Sequence, residues 1–418
     1  MTLPTHWTKA TLKDCCLRPK YGFTASASSE PVGWKFLRIT DIQDGRVDWT
    51  KVPYVATSSE ANGDLKLKRG DIVIARIGAT TGKAFLIDDC PDALFASYLI
   101  RIRTKPSTSP EFLSFYFQSD QYWSQINQSK GGRLKGGVNI PILESLSLPL
   151  PPLEEQRAIA HVLQTVQKAK EARQRELVLE RERKAALMKY LFTHGIRGSK
   201  TKMTEIGEIP ENWQLVEAGG IADIGNGSTP SRKDERYWNG GTTPWITSTK
   251  VHDVVIRDAD ELVTETARTE CHLPLVPRHS IVVAITGQGK TLGNAAILEL
   301  DTCINQHLAY VHFKNESIRP LFALFYLRSR YQHFRNVSAG GGSTKGALTC
   351  GFLKRLRIPV PPSDEQDAIA QVLSGCETKC GCLEKEVGLL DEFFTATLGQ
   401  LMSGRLSTQP RIEEHQPQ

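Results

Sequence analysis

Short apolar runs alternate with glycine, aspartate and proline over the first 150 residues, and this pattern predicts a mixed α and β domain. Runs bounded by glycine and aspartate predict strands at 36–42, 70–78 and 83–87. Aromatic residues at helical spacing predict an amphipathic helix over 110–126. Two prolines, Pro151 and Pro152, close the domain because proline fits neither a central strand nor a helix interior.

Beyond these prolines the pattern changes to that of a long helix. Residues 153–192 contain no glycine and no proline, which predicts a helix of about 60 Å that ends near Gly195. A second long helix is predicted from Ser363 to Gly404. Ser363 and Gln366 fit a capping box at its start.

The second helix carries the spacing of a coiled-coil seam, since nine of ten positions at steps of four and three residues are apolar. The ten positions are Ile369, Leu373, Cys376, Cys380, Leu383, Val387, Leu390, Phe394, Thr397 and Leu401. The equivalent series in the first helix begins at Ile159 and Leu163 and is charged in its middle. We interpret that charged middle as a solvated face or, alternatively, as a surface for a partner.

The second half of the chain repeats the first at an offset of 210 residues. PLPPLEEQRAIAHVL (149–163) and PVPPSDEQDAIAQVL (359–373) are identical at ten of fifteen positions, and GGRLKGG (131–137) matches GGSTKGA (341–347). A period this long implies two similar domains rather than a solenoid. The matching elements of the second half are two strands and a helix, at 281–287, 295–300 and 319–334.

The predicted fold class is therefore α+β. Two similar mixed α/β domains are separated by two long helices, which pack as an antiparallel coiled coil, and the halves form a pseudo-two-fold internal repeat. The predicted boundaries are 1–152 for the first domain, 153–198 for the central helix, 199–362 for the second domain, 363–406 for the C-terminal helix and 407–418 for a frayed tail.

Composition and charge only slightly narrow the possible partners and the cellular compartment of the protein. The net charge of +6 and the pI near 8.7 permit a nucleic-acid partner without demanding one. Nine cysteines, an odd number with no paired framework, suggest reduced thiols and a cytoplasmic protein. No run approaches the roughly 18 apolar residues that would span a bilayer, so no membrane partner is expected.

The chain carries no convincing catalytic motif. The segment AITGQGKT (284–291) resembles a phosphate-binding P-loop, but Ala284 stands where the first glycine is required. The next predicted strand also follows too closely to leave room for the helix that a P-loop needs. Histidines and cysteines lack metal-ligand spacing, and Cys376 and Cys380 fit core packing better. We therefore expect neither an enzyme nor a metal site.

The paired motifs together resemble the specificity (S) subunit of a type I restriction–modification system. The resemblance covers essentially the whole chain. It rests on LPTHW, FLRITDI, GDIVIARIGATTGKA, GGRLKGG and PLPPLEEQRAIA in the first half. In the second half it rests on IPENW, STPSRKDERYWNGGTTPWIT, GGGSTKG and PVPPSDEQDAIA.

This resemblance implies that each domain is a target recognition domain that reads one half of a split DNA site. Strong divergence between the two domains implies that the target is asymmetric. The helices would set the spacing between the two half-sites. They would also bind two modification subunits, which would bring S-adenosylmethionine and methylate adenine N6. Two restriction (motor-nuclease) subunits, with ATP and Mg²⁺, would join for cleavage, and this chain would hold no cofactor. The alternative is a non-enzymatic coiled-coil scaffold without a DNA role.

Two groups of residues are expected to make the contacts. Basic and polar loop residues are the candidates for double-stranded DNA, with arginine or lysine on guanine or phosphate and glutamine on adenine: Lys20, Tyr21, Arg38, Arg76, Thr80, Lys83, Arg133, Lys135, Arg232, Lys233, Lys250, Gln288, Lys290 and Lys345. The candidates for subunit docking and the helix seam are Glu155, Gln156, Ile159, Leu163, Glu365, Gln366, Ile369, Leu373, Leu383, Val387 and Leu390.

Overall fold

The computed structural model describes residues 3–43, 45–56, 63–129, 137–287, 289–314, 316–340 and 348–408. The chain divides into two compact units. Unit 1 consists of Met1–Gln174 and Lys385–Gln418, and unit 2 consists of Arg175–Glu384. Each long helix therefore contributes one part to each unit. The central helix spans Leu153–His194 and the C-terminal helix spans Ser363–Met402.

Unit 1 is a mixed α and β domain. Its strands are Thr8–Thr11, Lys20–Tyr21, Trp34–Leu37, Ile42–Gln43, Arg46–Val47, Tyr54–Val55, Ile72–Ala75, Ala84–Leu86, Ala93–Phe95, Leu99–Ile102 and Ser147–Leu150. Its shorter α-helices are Leu12–Cys15, Pro110–Tyr116, Asp120–Ser129 and Ile140–Ser145, and its 3₁₀ turns are Ile39–Asp41 and Gly63–Leu65.

Unit 2 repeats this plan with additional short strands. Its strands are Thr201–Thr204, Gly207–Pro210, Gln214–Glu217, Ala222–Asn226, Thr243–Ile246, Val255–Ile256, Glu261–Val263, Ile281–Ala284, Ala295–Leu298, Cys303–Ile304, Leu308–Phe313 and Arg357–Val360. Its shorter α-helices are Ala218–Ile221, Glu265–Glu270, Pro320–Ser329, Tyr331–Gly340 and Cys350–Arg355, and its 3₁₀ turns are Glu235–Tyr237 and Ser248–Asp253.

The central sheet has the same construction in both units. In unit 1 the buried strand Ile72–Ala75 lies between Leu99–Ile102 and Ala84–Leu86 and is antiparallel to both. In unit 2 Ile281–Ala284 lies in the same way between Leu308–Phe313 and Ala295–Leu298. This correspondence confirms the predicted α+β class with two similar domains.

Three local predictions are wrong in detail. The single helices predicted over 110–126 and 319–334 are each broken into two. In unit 1 the break falls where the Ser119 hydroxyl donates to the carbonyl of Tyr116 and accepts from the amide of Tyr122, so it ends one helix and begins the next. The strand predicted over 36–42 ends early, because Asp41 accepts the Arg38 amide and closes a 3₁₀ turn.

The recurring glutamine of the repeated motif fastens each domain to its long helix. The Gln156 side-chain oxygen accepts from the amide of Ser109, and its nitrogen donates to the carbonyls of Ser107 and Pro151. Gln366 makes the same three bonds in unit 2, to the backbone of Arg319, Ser317 and Pro361. Every partner is displaced by the same 210 residues, and both glutamines are buried.

The glutamate just before each of these glutamines forms a hydrogen bond with a tryptophan near the start of the domain. Glu155 accepts from the indole nitrogen of Trp7 at 3.1 Å, and Glu365 accepts from that of Trp213 at 3.1 Å. Most of the positions named as candidates for subunit docking or the helix seam are buried within their units. The buried residues concerned are Glu155, Gln156, Ile159, Leu163, Glu365, Gln366, Ile369, Leu373 and Leu383.

The long helices run antiparallel within each unit. In unit 1, Lys170 pairs with Asp391 at 2.6 Å and Arg173 with Glu386 at 3.0 Å. In unit 2 the partners also run in opposite directions, because Arg181 pairs with Glu384 and Lys184 with Glu377, both at 2.7 Å. The seam residues Leu177, Cys380 and Leu383 pack together in unit 2. The charged seam positions Lys170, Arg173 and Lys184 therefore pair with the other helix, whereas other residues of the charged middle are exposed.

Candidate nucleic-acid interface

In each unit, a hairpin loop that carries some of the candidate DNA contacts lies beside a turn at one end of the central sheet. In unit 1 the strand Ile72–Ala75 ends where Leu99–Ile102 and Ala84–Leu86 begin. The hairpin loop 76–83 and the turn 96–98 therefore share an edge, which we name the first tip edge. The second tip edge, in unit 2, consists of residues 285–287 and 289–294 between the paired strands and of the turn 305–307.

Backbone hydrogen bonds hold each tip edge together. The Arg76 amide donates to the Tyr98 carbonyl at 3.0 Å, and the Ile285 amide donates to the His307 carbonyl at 2.9 Å. The residue after each glycine-rich segment joins the same hairpin, because Val138 donates to the Arg76 carbonyl and Leu348 donates to that of Ile285. Four predicted DNA contacts lie outside the described residues: Arg133, Lys135, Gln288 and Lys345.

A neighbouring helix supports each hairpin loop. The Tyr122 hydroxyl donates to the Gly82 carbonyl at 2.6 Å, and the Tyr331 hydroxyl donates to the Lys290 carbonyl at 3.1 Å. Gly82 has a positive φ of 94°, and a side chain there would press against Trp123. Neither hairpin sequence contains an acidic residue, so phosphate can approach both without repulsion from within the loop.

The first tip edge brings together part of the predicted set. The Arg76 guanidinium lies 4.7 Å from the ring centroid of Tyr21. Lys83 is exposed and Thr80 half-buried in the same hairpin loop. Lys20, on the adjacent strand, forms an ion pair with Asp64. Arg38 binds Asp41, and this hydrogen bond raises the pKa of Arg38 above its ordinary value.

The predicted contacts of unit 2 are more dispersed. Lys290 is exposed in the hairpin loop, and Lys233 is exposed on a separate loop. Arg232 binds Glu261 through two nitrogens, and its guanidinium lies 4.0 Å from the ring centroid of Trp238. The hydrogen bond to Glu261 raises the pKa of Arg232.

Three acidic residues surround Lys250, one of the predicted DNA contacts. Its ammonium lies 2.7 Å from a carboxylate oxygen of Asp258, 3.2 Å from Asp260 and 4.0 Å from Asp253. Hydrogen bonds to Asp258 and Asp260 raise the pKa of Lys250. Three carboxylates around one cation leave a local negative charge, which repels phosphate.

Sequence reasoning missed the turn residues of both tip edges. Tyr98 is a large aromatic residue with 55% of its surface exposed. Its counterpart His307 interacts with the Thr286 hydroxyl, and the neighbouring Gln306 interacts with Thr229. Their position in the chain could have identified them, because each turn directly precedes the strand that pairs with the buried hairpin strand.

The P-loop alternative fails on topology. The strands on either side of the second hairpin, Ile281–Ala284 and Ala295–Leu298, pair antiparallel with each other, so no helix follows the glycine-rich turn. Among the described residues, no group of three histidine, cysteine, aspartate or glutamate side chains is arranged to hold a metal ion. None of the helices in the described part of the chain is both long and apolar enough to span a membrane.

Comparison with known proteins identifies the family. A model of the type I restriction modification DNA specificity domain matches residues 4–181 and 210–387. The putative type I restriction enzyme MjaX specificity subunit of Methanocaldococcus jannaschii is 27% identical over 416 residues, covering 97% of this chain and 94% of that protein.

Two solved structures share the fold. A type I restriction–modification S subunit from M. genitalium covers 96% of this chain and 98% of its own, with a TM-score of 0.62 at 16% identity. A chain from a structure of type I R-M complex assembly and conformational transition covers 97% and 100%, with a TM-score of 0.57 at 19% identity. The chain therefore belongs to the type I restriction–modification DNA specificity family, as a non-catalytic specificity subunit with two DNA recognition domains.

Proposed function

We propose that the two recognition domains read different halves of one bipartite, asymmetric DNA site, each through its tip edge. The observation that carries the proposal is that the two tip edges share a backbone framework but differ in their side chains. At matching places beside the hairpin, one turn presents Tyr98 and the other His307. A shared framework supports one mode of approach to DNA, and different side chains support different base preferences.

The chemistry of each edge suits this division. Lysine and arginine of the hairpin loops can neutralise phosphate, which positions a protein on the duplex without reading sequence. Glutamine and histidine side chains can donate to and accept from base edges, and glutamine matches the donor and acceptor pair of adenine. In the proposed scheme Lys83 and Lys290 bind the phosphate backbone of the DNA, while Gln306 and His307 contribute to the choice of base.

The long helices have two proposed roles. They set the distance between half-sites, and they bind two modification subunits that carry S-adenosylmethionine and methylate adenine N6. Two restriction subunits, using ATP and Mg²⁺, complete the cleaving complex. Continuous helices of 42 and 40 residues, each contributing to both compact units, support the spacing role. The family assignment does not favour the alternative of a scaffold without a DNA role.

Substituting residues of the turn 305–307 is expected to reduce base discrimination in only one half-site. In the variant Gln306→Ala with His307→Ala, discrimination at one or two bases of that half-site should fall about tenfold, because each good side-chain contact to a base contributes roughly 1–3 kcal/mol. Tyr98→Ala should alter only the other half. The measurement is a map of N6-methyladenine made with each variant in a host that lacks other methylation.

Met203→Ala is the matched control, because Met203 is 78% exposed in unit 2 and lies in the separate hairpin formed by Thr201–Thr204 and Gly207–Pro210. This control should leave the methylated motif unchanged. Identical motifs from the wild type and both turn variants would remove the two turns from the reading surface.

Lengthening both helices together is expected to widen the gap in the target. Seven residues inserted after Gln174 and seven after Glu384 fall where the chain passes between the compact units, and they preserve the heptad period. Seven helical residues add about 10 Å, which is about three base pairs of DNA. The methylome should show unchanged half-sites separated by about three more base pairs.

A single insertion is the control for the paired design. Seven residues after Gln174 alone have no counterpart in the antiparallel helix, and they should destabilise the pair rather than produce a clean new gap. An unchanged gap with the paired insertion would show that the helices do not set the spacing.

A further inference from the structure

Ile77 and Thr286 occupy matching positions at the two tip edges. Each directly follows the residue whose backbone amide donates to the neighbouring turn, at Tyr98 in unit 1 and at His307 in unit 2. The shared hydrogen-bond framework therefore aligns two pairs of side chains, Ile77 with Tyr98 and Thr286 with His307. Each pair shows which chemical groups its tip edge presents to a ligand.

The pair in unit 1 is apolar and exposed. Ile77 exposes 40% of its surface and Tyr98 exposes 55%. A methyl carbon of Ile77 lies beside the backbone of Gly137, where a Cβ atom would come within 3.5 Å of it. Because isoleucine is branched at Cβ, it loses less conformational entropy on binding than a long flexible side chain does. The first tip edge thus presents a preformed apolar surface.

The pair in unit 2 is polar. The Thr286 hydroxyl and the Nδ1 atom of His307 form a hydrogen bond with each other. The Nε2 atom of His307 lies 3.3 Å from the amide nitrogen of Gln306. Hydrogen-bonding groups in unit 2 therefore occupy the positions that apolar side chains occupy in unit 1. We expect an apolar contact to the ligand at the first tip edge and not at the second.

The charges beside Ile77 and Tyr98 indicate the kind of molecule that covers them. Arg76 and Lys83 belong to the same hairpin loop, and neither this loop nor the turn contains an acidic residue. Exposed apolar residues within a loop and turn that carry only positive charge fit a polyanion that also carries apolar groups. Double-stranded DNA meets both conditions. Its major groove exposes one apolar group on the base edges, the C5-methyl group of thymine.

We infer that the first tip edge reads a thymine of its half-site through the C5-methyl group, with Ile77 in contact with the methyl group and Tyr98 shielding it from water. This inference rests on the proposed function, which gives each tip edge a half-site, and it adds the identity of one base and of the group that is read. Burial of one methyl group supplies the discrimination. Its removal from the DNA should therefore lower the affinity about threefold to fivefold.

The test compares thymine with deoxyuridine, which lacks only the C5-methyl group, in a DNA duplex that carries the methylated motif. The full-length chain in complex with its modification subunit is titrated with duplexes that each carry one such replacement, and fluorescence anisotropy reports binding. The first half-site is the one that Tyr98→Ala alters in the methylome. One replacement there should weaken binding about threefold to fivefold. Replacing any thymine of the other half-site should leave binding unchanged.

Ile77→Ala should abolish the difference between thymine and deoxyuridine at that position, and Ile77→Val should retain most of it. Leu17→Ala is the matched control. Leu17 exposes 50% of its surface in unit 1, but its amide donates to the carbonyl of Arg103, beyond the opposite end of the strand Leu99–Ile102. This control should keep the full preference for thymine.

Equal binding of thymine and deoxyuridine at every position of the first half-site would overturn the inference, and so would a first half-site without thymine on either strand. A preference for thymine that survives in Ile77→Ala would also overturn it, as would Ile77→Ala and Tyr98→Ala variants that leave both half-sites unchanged. In these cases a gapped motif with two different half-sites still supports the proposed function. A continuous motif, or no new methylation, would instead overturn the proposed function.

Discussion

Gln366→Ala is expected to lower the free energy of unfolding by about 3–5 kcal/mol. The substitution leaves the amide of Arg319 and the carbonyls of Ser317 and Pro361 without their partner, and each unsatisfied buried group costs roughly 1–3 kcal/mol. Urea denaturation followed by circular dichroism measures the loss. Hydrogen exchange should place the weakened protection in unit 2, where the C-terminal helix begins.

The matched control is Gln371→Ala, which removes an exposed glutamine from the same helix. It should change stability by less than about 0.5 kcal/mol. Gln156→Ala should reproduce the Gln366→Ala effect in unit 1, because its three bonds are the same. Equal stability of Gln366→Ala and Gln371→Ala would show that the recurring glutamine does not fasten the domain to the helix.

Gly227→Ala is expected to destabilise unit 2 by about 3 kcal/mol or more and to abolish reading of its half-site. A side chain at Gly227 would overlap the carbonyl oxygen of Ile304, which is backbone and cannot move aside as a flexible side chain would. The following turn, 305–307, forms part of the second tip edge. Thermal unfolding measures the first effect, and binding to DNA that contains the identified half-site measures the second.

Gly220→Ala is the control, since a side chain there would meet nothing within 4 Å. It should leave both stability and binding near the wild-type values. Gly22→Ala should damage unit 1 in the same manner, because its side chain would overlap the carbonyl oxygen of Ala96. A Gly227→Ala protein that unfolds and binds as the wild type does would contradict the close backbone approach at the second tip edge.

Local periodicity was sufficient to predict the long helices and the hairpin strands. The central helix ends at His194, next to the predicted end near Gly195, and the C-terminal helix begins at the predicted Ser363. These features depend on residues close in sequence, where glycine, proline and apolar spacing act directly. The sequence identity between the two halves of the chain was sufficient to predict the repeat.

Contacts between residues far apart in the sequence could not be predicted from local periodicity. Gln366 contacts residues about fifty positions away, so its role as a fastening could not be separated from an exposed docking role. Lys250 looked like a free cation because Asp258 and Asp260 surround it only after folding. Tyr98 and His307 carry no motif, and only the sheet places their turns beside the hairpin loops.

Mapping N6-methyladenine across a genome tests the central claim most directly. The chain is co-expressed with its modification subunit in a host without other adenine methylation, and the methylated sites are read by sequencing. Two recognition domains on one subunit predict a gapped motif with two different half-sites and a fixed spacer. A continuous motif, or no new methylation from a stable complex of the two proteins, would contradict the account.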